Sequence, residues 1–171
     1  YHPMSQRKLE KQKEYNDKLK ESATAYKNKD YQKALNNIYY LIEKGYKTAE
    51  VYNNLGLLYS KLQKWQESVD SYQISLRLDQ NYLNSYFNFA ALLKGLKRYK
   101  DALQVYVMGV RKYPKDFNLH NNIGMVYETL GEDNNAIEAY KNAVRVNPKF
   151  AKAINNIAVI LYKQKRYKES S

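Results

Sequence analysis

Tyr52-Asn53-Asn54-Leu55-Gly56-Leu57-Leu58-Tyr59 returns along the chain as Tyr86-Phe87-Asn88-Phe89-Ala90-Ala91-Leu92-Leu93, as His120-Asn121-Asn122-Ile123-Gly124-Met125-Val126-Tyr127 and as Ile154-Asn155-Asn156-Ile157-Ala158-Val159-Ile160-Leu161. Successive copies are 34 residues apart. Within a copy, residues 52, 55, 56 and 59 follow the i, i+3, i+4, i+7 pattern that shares one face of a helix. A second segment keeps the same step. Ser68, Ala102 and Ala136 form one series, Tyr72, Tyr106 and Tyr140 another, and Ser75, Gly109 and Ala143 a third. Pro114 and Pro148 follow two of these segments. Proline lacks an N–H and clashes with the preceding turn, so the second helix ends near it. The period therefore predicts units of two helices, and a unit buries its apolar face only against the next one. Gly56 and Gly124, with Ala34, Ala102 and Ala136 on the second helix, leave room for close approach.

Aromatic, two residues, Leu-Gly, two residues, Tyr, then Ala, three residues, aromatic and Pro: this pattern resembles the tetratricopeptide repeat. Units are read at 49–82, 83–116 and 117–150, with a divergent one at 15–48 that has Glu21 where Leu is usual. The resemblance implies an all-α fold of helical hairpins stacked into a right-handed α-solenoid, with first helices lining a concave side. Residues 1–14 read as a charged, solvated N-terminal helical extension, partly tag-derived. Residues 151–171 read as a truncated unit with a first helix over 152–163 and a second due to begin after Arg166-Tyr167-Lys168-Glu169. That leaves Ile157, Ile160 and Leu161 short of cover. It suggests a fragment of a longer protein and leaves self-association through the open C-terminal end as an option.

Little in the chain points to catalysis, and no enzyme activity is expected. The 171 residues contain no cysteine and two histidines, so neither disulfides nor zinc-ligand spacing arises. His2 falls in the tag-like start, and His120 takes the slot of Tyr52 and Tyr86, as an aromatic substitute. The six glycines form no phosphate-binding loop. No cofactor and no metal are expected. Ten of the nineteen tyrosines (31, 52, 59, 72, 86, 99, 106, 127, 140 and 167) fall in the repeat's aromatic slots, as does Trp65, so core packing accounts for them. No apolar run approaches the roughly 20 residues of a membrane span, and the reading places the chain in the cytoplasm.

The expected function is a protein-protein interaction scaffold or adaptor that binds a peptide or helix of a partner in the concave groove. The residue before each Leu-Gly pair is asparagine four times: Asn54, Asn88, Asn122 and Asn156. Asparagine carries both a donor and an acceptor, so it can pair with an extended backbone whatever its sequence. The series resembles the asparagine ladder of O-linked N-acetylglucosamine transferase. One alternative is therefore the targeting repeat region of a larger enzyme such as a glycosyltransferase. Asn53, Asn121 and Asn155 stand one residue earlier, Asn84, Asn118 and Lys152 one turn earlier. Leu57, Phe87 and Met125 are the expected apolar anchors. The carboxylate clamp of heat-shock co-chaperones is not implied: only Asn54 fits it in the window 15–116, and only Asn122 and Lys152 in the window that starts at 83.

The net charge of +12 is unevenly spread. Units 49–82 and 117–150 are each −1, whereas unit 83–116 is +5 and residues 151–171 are +4. Lys94, Lys97, Arg98 and Lys100, with Lys163, Lys165, Arg166 and Lys168, form a basic edge at the interhelical turns. Glu128, Glu132 and Asp133 interrupt it. An acidic partner or RNA on this edge is the second alternative, and nucleic acid is not favoured because no continuous phosphate track is drawn.

Overall fold

The structure is a computed structural model that describes residues 3–170, with side chains from Ser5 onward. Tyr1 and His2, read above as tag-like, and Ser171 lie outside the described residues. The described residues are helical, with no strand among them. In chain order the helices are α1 (Pro3–Lys27), α2 (Tyr31–Glu43), α3 (Ala49–Lys61), α4 (Trp65–Leu78), α5 (Leu83–Gly95), α6 (Tyr99–Lys112), α7 (Phe117–Thr129), α8 (Asp133–Val146) and α9 (Ala151–Ser170). The fold is all-α, as the period implied. The chain divides into two compact units, residues 1–88 and 89–171, with the division inside α5.

In the first unit α1 packs on α2, α3 on α4, and α2 on α3. Ala34, Leu35, Ile38 and Leu41 of α2 meet Val51, Leu55 and Leu58 of α3, all 5% exposed or less. In the second unit α7 packs on α8, α6 on α7, and α8 on α9. Ala136, Ile137, Tyr140 and Ala143 of α8 cluster there with Ala153 and Ile160 of α9.

The closest approach inside a hairpin is a tyrosine ring against a glycine. A Cβ built on Gly56 would stand 2.7 Å from Cε1 of Tyr72, and one on Gly124 2.5 Å from Cε1 of Tyr140. No real side chain tolerates that separation, so the missing carbon is what seats the ring. Tyr72 and Tyr140 are buried as a result, at 1% and 0% exposure. Serine secures the same crossing in two reciprocal ways. In the first hairpin Ser22 Oγ donates to the Ala34 carbonyl at 2.9 Å. In the second, Ser68 Oγ donates to the Gly56 carbonyl at 2.6 Å.

Each hairpin turn is closed by a residue in the left-handed region: Lys29, Gln63 and Lys97 at φ 60°, and Gly131 at φ 76°. These four positions are also one repeat apart. The following N–H reaches back to a carbonyl five residues earlier, Asp30 to Ala25, Lys64 to Tyr59, Arg98 to Leu93 and Glu132 to Tyr127, at 2.8–2.9 Å. This is the Schellman closure, in which glycine is the usual left-handed residue. For an L side chain that conformation costs about 1–2 kcal/mol. Burial of the second helix offsets it.

Lys165 stands one repeat beyond Gly131, and Lys165-Arg166-Tyr167 repeats Lys97-Arg98-Tyr99. Yet α9 runs straight through it to Ser170. This corrects the expected break after residue 163. After Arg98 come Ala102, Val105 and Tyr106, all buried. After Arg166 every described residue is exposed, so no burial offsets the turn. Tyr167, placed above in a core slot, is accordingly 75% exposed, and Trp65 is 42% exposed.

The N-terminal extension is one helix with the first helix of the first hairpin, and its residues 5–13 are exposed. Its last turn is not merely solvated. The Glu14 carboxylate accepts hydrogen bonds from the hydroxyls of Tyr40 and of Tyr46, the latter at 2.8 Å. Those two bonds hold its pKa below the usual carboxylate value.

Two outcomes are expected. Gly124→Ala lowers the unfolding free energy in urea by roughly 1–3 kcal/mol, the range for overpacking a filled joint. Lys97→Gly, which removes the left-handed strain, raises it by about 0.5–1 kcal/mol. Equal stability for both variants and the parent would contradict this account of the hairpin.

Candidate functional site

The asparagines before each Leu-Gly position all have partners within the protein. In the first unit Asn88 Nδ2 donates to Asn53 Oδ1 at 3.1 Å. Ser85 Oγ donates to the same oxygen at 3.0 Å and shares a 2.6 Å bond with Ser75 Oγ. Ser75 Oγ also lies 2.7 Å from the Ala49 carbonyl, and its single proton goes either to that oxygen or to Ser85 Oγ. A buried polar seam thus joins α3, α4 and the start of α5. In the second unit Asn156 Nδ2 donates to Asn121 Oδ1 at 3.3 Å. The two bonds are the same contact repeated, each across 35 residues of chain.

Asn53 and Asn121 are therefore not groove residues, which corrects the sequence reading. They are 3% and 5% exposed, and their oxygens serve as inward acceptors. Asn155 is exposed. Asn88 and Asn156, half-buried, spend one N–H on these acceptors. A carboxamide has two N–H donors and an oxygen with two lone pairs, so capacity remains on each, and the internal bond fixes its orientation. Asn54 accepts from Asn53 Nδ2 at a long 3.4 Å. Asn122 bonds the Tyr106 hydroxyl, whose pKa is raised by burial and drawn back by that bond.

Asn84, Asn118 and Lys152 are exposed, Leu57 and Phe87 are half-buried, and Met125 is 41% exposed. Met125 is also in contact with the buried layer, since Asn121 Nδ2 lies 3.6 Å from its sulfur. A small cavity of about 190 Å³ opens between α1 and α3, lined by Ser22, Ala23, Tyr26, Asn54, Leu57 and Leu58. The sequence reading named Asn54 and Leu57 but missed the rest. Tyr26 lies outside the repeated aromatic slots. Ala23 stands one repeat before Leu57, in the same register.

His120 has a structural role. Its Nε2 lies 2.7 Å from the Pro114 carbonyl, which can only accept, so that nitrogen carries the proton. One repeat earlier the Tyr86 hydroxyl donates to the Gln80 carbonyl at 2.6 Å. The imidazole thus substitutes for a phenol that ties the first helix to the turn before it.

The basic edge lies in the second unit. Lys97, Arg98, Lys100, Lys163, Lys165, Arg166 and Lys168 are exposed and Lys94 is half-buried. Arg98 pairs with Asp101 at 2.9 Å, which reduces its field. Among the described residues no group of three or more metal-ligating side chains comes together. None of the helices is long and apolar enough to cross a membrane.

Helical hairpins on a 34-residue period, with glycine against tyrosine at two of the crossings, define a helical-repeat scaffold. Residues 49–82 and 117–150 match the tetratricopeptide repeat, and a second profile of the same repeat matches 134–170. The chain belongs to the tetratricopeptide repeat family, a family of protein-interaction scaffolds. Among solved structures it resembles MamA from Desulfovibrio magneticus, at 20% identity and a TM-score of 0.73, covering 91% of this chain and 88% of that one. It also resembles PilF of Pseudomonas aeruginosa, at 18% identity and TM-score 0.77, covering 91% and 71%. A third is YrrB, described as a repeat protein with an unusual peptide-binding site, at 18% identity and TM-score 0.65, covering 78% and 69%. At these identities the likeness is one of fold. No curated protein matches the chain in sequence.

Asn53→Leu removes the acceptor shared by Ser85 and Asn88. A cost of about 1–3 kcal/mol in urea unfolding is expected, the penalty for stranding buried donors. A neutral result would show that the seam does not hold the helices together.

Proposed function

We propose that the first-helix face holds an extended segment of a partner protein and reads it mainly through its backbone. The observation that carries this is the internal pinning of Asn88 and Asn156. Each carboxamide is held by one N–H to the preceding repeat and keeps an oxygen and a second N–H for another partner. A side chain fixed before binding loses little rotamer freedom on binding, so its hydrogen bonds yield more net affinity. A backbone offers one N–H and one C=O per residue, which is what a carboxamide complements. Leu57 and Phe87 add apolar contact within the first unit, and Met125 adds it within the second, each by itself. Asn84 and Asn118, exposed on the first turns of α5 and α7, extend the amide surface, with Lys152 in the same place on α9.

Selection from a displayed library of random peptides, followed by fluorescence anisotropy on the enriched sequences, tests this. Asn54→Ala combined with Asn88→Ala should weaken binding about tenfold, the equivalent of one to two net hydrogen bonds. The melting temperature should stay near that of the parent, because Asn53 keeps Ser85 as a donor. Failure to enrich any peptide, or affinities that ignore the double substitution, would defeat the reading.

A further inference from the structure

We infer that the cavity between α1 and α3 is a socket for one apolar side chain of an acidic segment. This rests on the groove reading above and names the ligand that the groove takes at this place.

Size is the first consideration. Pockets for whole small molecules occupy about 300–1,000 Å³, and this cavity holds about 190 Å³. An engineered apolar cavity of about 150 Å³ accepts benzene, so a leucine or phenylalanine side chain is the matching occupant. The lining agrees with that. Ala23, Tyr26, Leu57 and Leu58 supply apolar walls, and Ser22 is already committed to the Ala34 carbonyl. The polar group left at the rim is Asn54, which can take the backbone on either side of the inserted residue.

Charge is the second. Lys27 follows Ala23 by four residues on α1, and Lys61 follows Leu57 by four on α3, so each shares a face with a lining residue. Both lysines are exposed. Neither takes part in the ion pairs of Lys18 with Glu21, Arg98 with Asp101, or Lys141 with Glu138. The acid on the same face of α3 is Glu50, one turn before Asn54, and the Tyr15 hydroxyl faces it at 3.5 Å. The end of the socket marked by Lys27 and Lys61 thus presents two positive charges. Aspartate or glutamate beside the inserted residue complements them, and it gives the register that backbone contacts alone lack.

Fluorescein-labelled peptides of the form Gly-Asp-Glu-X-Asp-Glu-Gly test this by anisotropy at low and moderate salt. X is leucine, phenylalanine or serine, and lysine replaces all four acidic residues in a control set. The leucine and phenylalanine peptides should bind about tenfold or more tightly than the serine and lysine-flanked ones, and should weaken as salt rises. Ala23 is exposed, so Ala23→Met fills the socket from an open helix position, and it should abolish the leucine preference without lowering the melting temperature. Lys27→Glu with Lys61→Glu should reverse the charge preference. Equal affinity for leucine and serine peptides, tighter binding of lysine-flanked peptides, or indifference to Ala23→Met each overturns the socket. So does a dimer in sedimentation that Ala23→Met dissolves, because the occupant is then a second copy. Library-selected peptides that still respond to Asn54→Ala with Asn88→Ala would leave the groove standing while the socket falls. If they do not respond either, both fall.

Discussion

A tyrosine ring lying where a side chain would otherwise begin sets the geometry of the hairpins. Tyr72 against Gly56 and Tyr140 against Gly124 bring two helices closer than any pair of ordinary side chains allows. That approach buries Ser68 and Ala136 on the second helix completely. It also lets the chain turn within three residues, at the expense of a left-handed residue that two packed helices hold in place. Close crossing turns one edge of the first helix toward its hairpin partner and another toward the next repeat. Asn54, Asn88, Asn122 and Asn156 lie half-buried on these first helices.

Much of this was legible because the constraint repeats. A glycine needed once is indistinguishable from a flexible glycine. Found at 56 and 124, two 34-residue steps apart with alanine in the slot between, and opposite a tyrosine at the same step, it identifies a joint. The left-handed turn was not legible, because Lys29, Gln63 and Lys97 carry no local mark of it. Only Gly131 would have been suspected. Their conformation is imposed by the helix that follows, and Lys165 shows this by lying in a straight helix within the same Lys-Arg-Tyr triplet as Lys97. Local propensity is the weaker influence at such positions.

The candidate site was half legible for a related reason. The pattern located Asn54, Asn88, Asn122 and Asn156, but adjacent asparagines on a helix differ by 100° in direction, and the sequence does not say which one faces inward. Asn53 and Asn121 turned out to be the buried acceptors and Asn88 and Asn156 their donors. Two features first read as parallel contact surfaces are thus one device, in which the inner amide orients the outer one. The two histidine-slot contacts, Tyr86 to Gln80 and His120 to Pro114, illustrate the same rule. The position, not the residue type, carries the role.

An oriented amide surface beside an apolar socket with a lysine-marked end is what a linear protein segment of acidic character would find complementary. The most direct measurement is the nitrogen–proton NMR spectrum of the isotopically labelled protein during titration with Gly-Asp-Glu-Leu-Asp-Glu-Gly. The account predicts shifts in the side-chain amides of Asn54 and Asn88 and in the backbone amides of Ala23, Tyr26 and Leu57, with the outward residues of α2 and α4 unmoved. Shifts confined to the turn around Lys97 and Lys100, or none at saturating peptide, would contradict it.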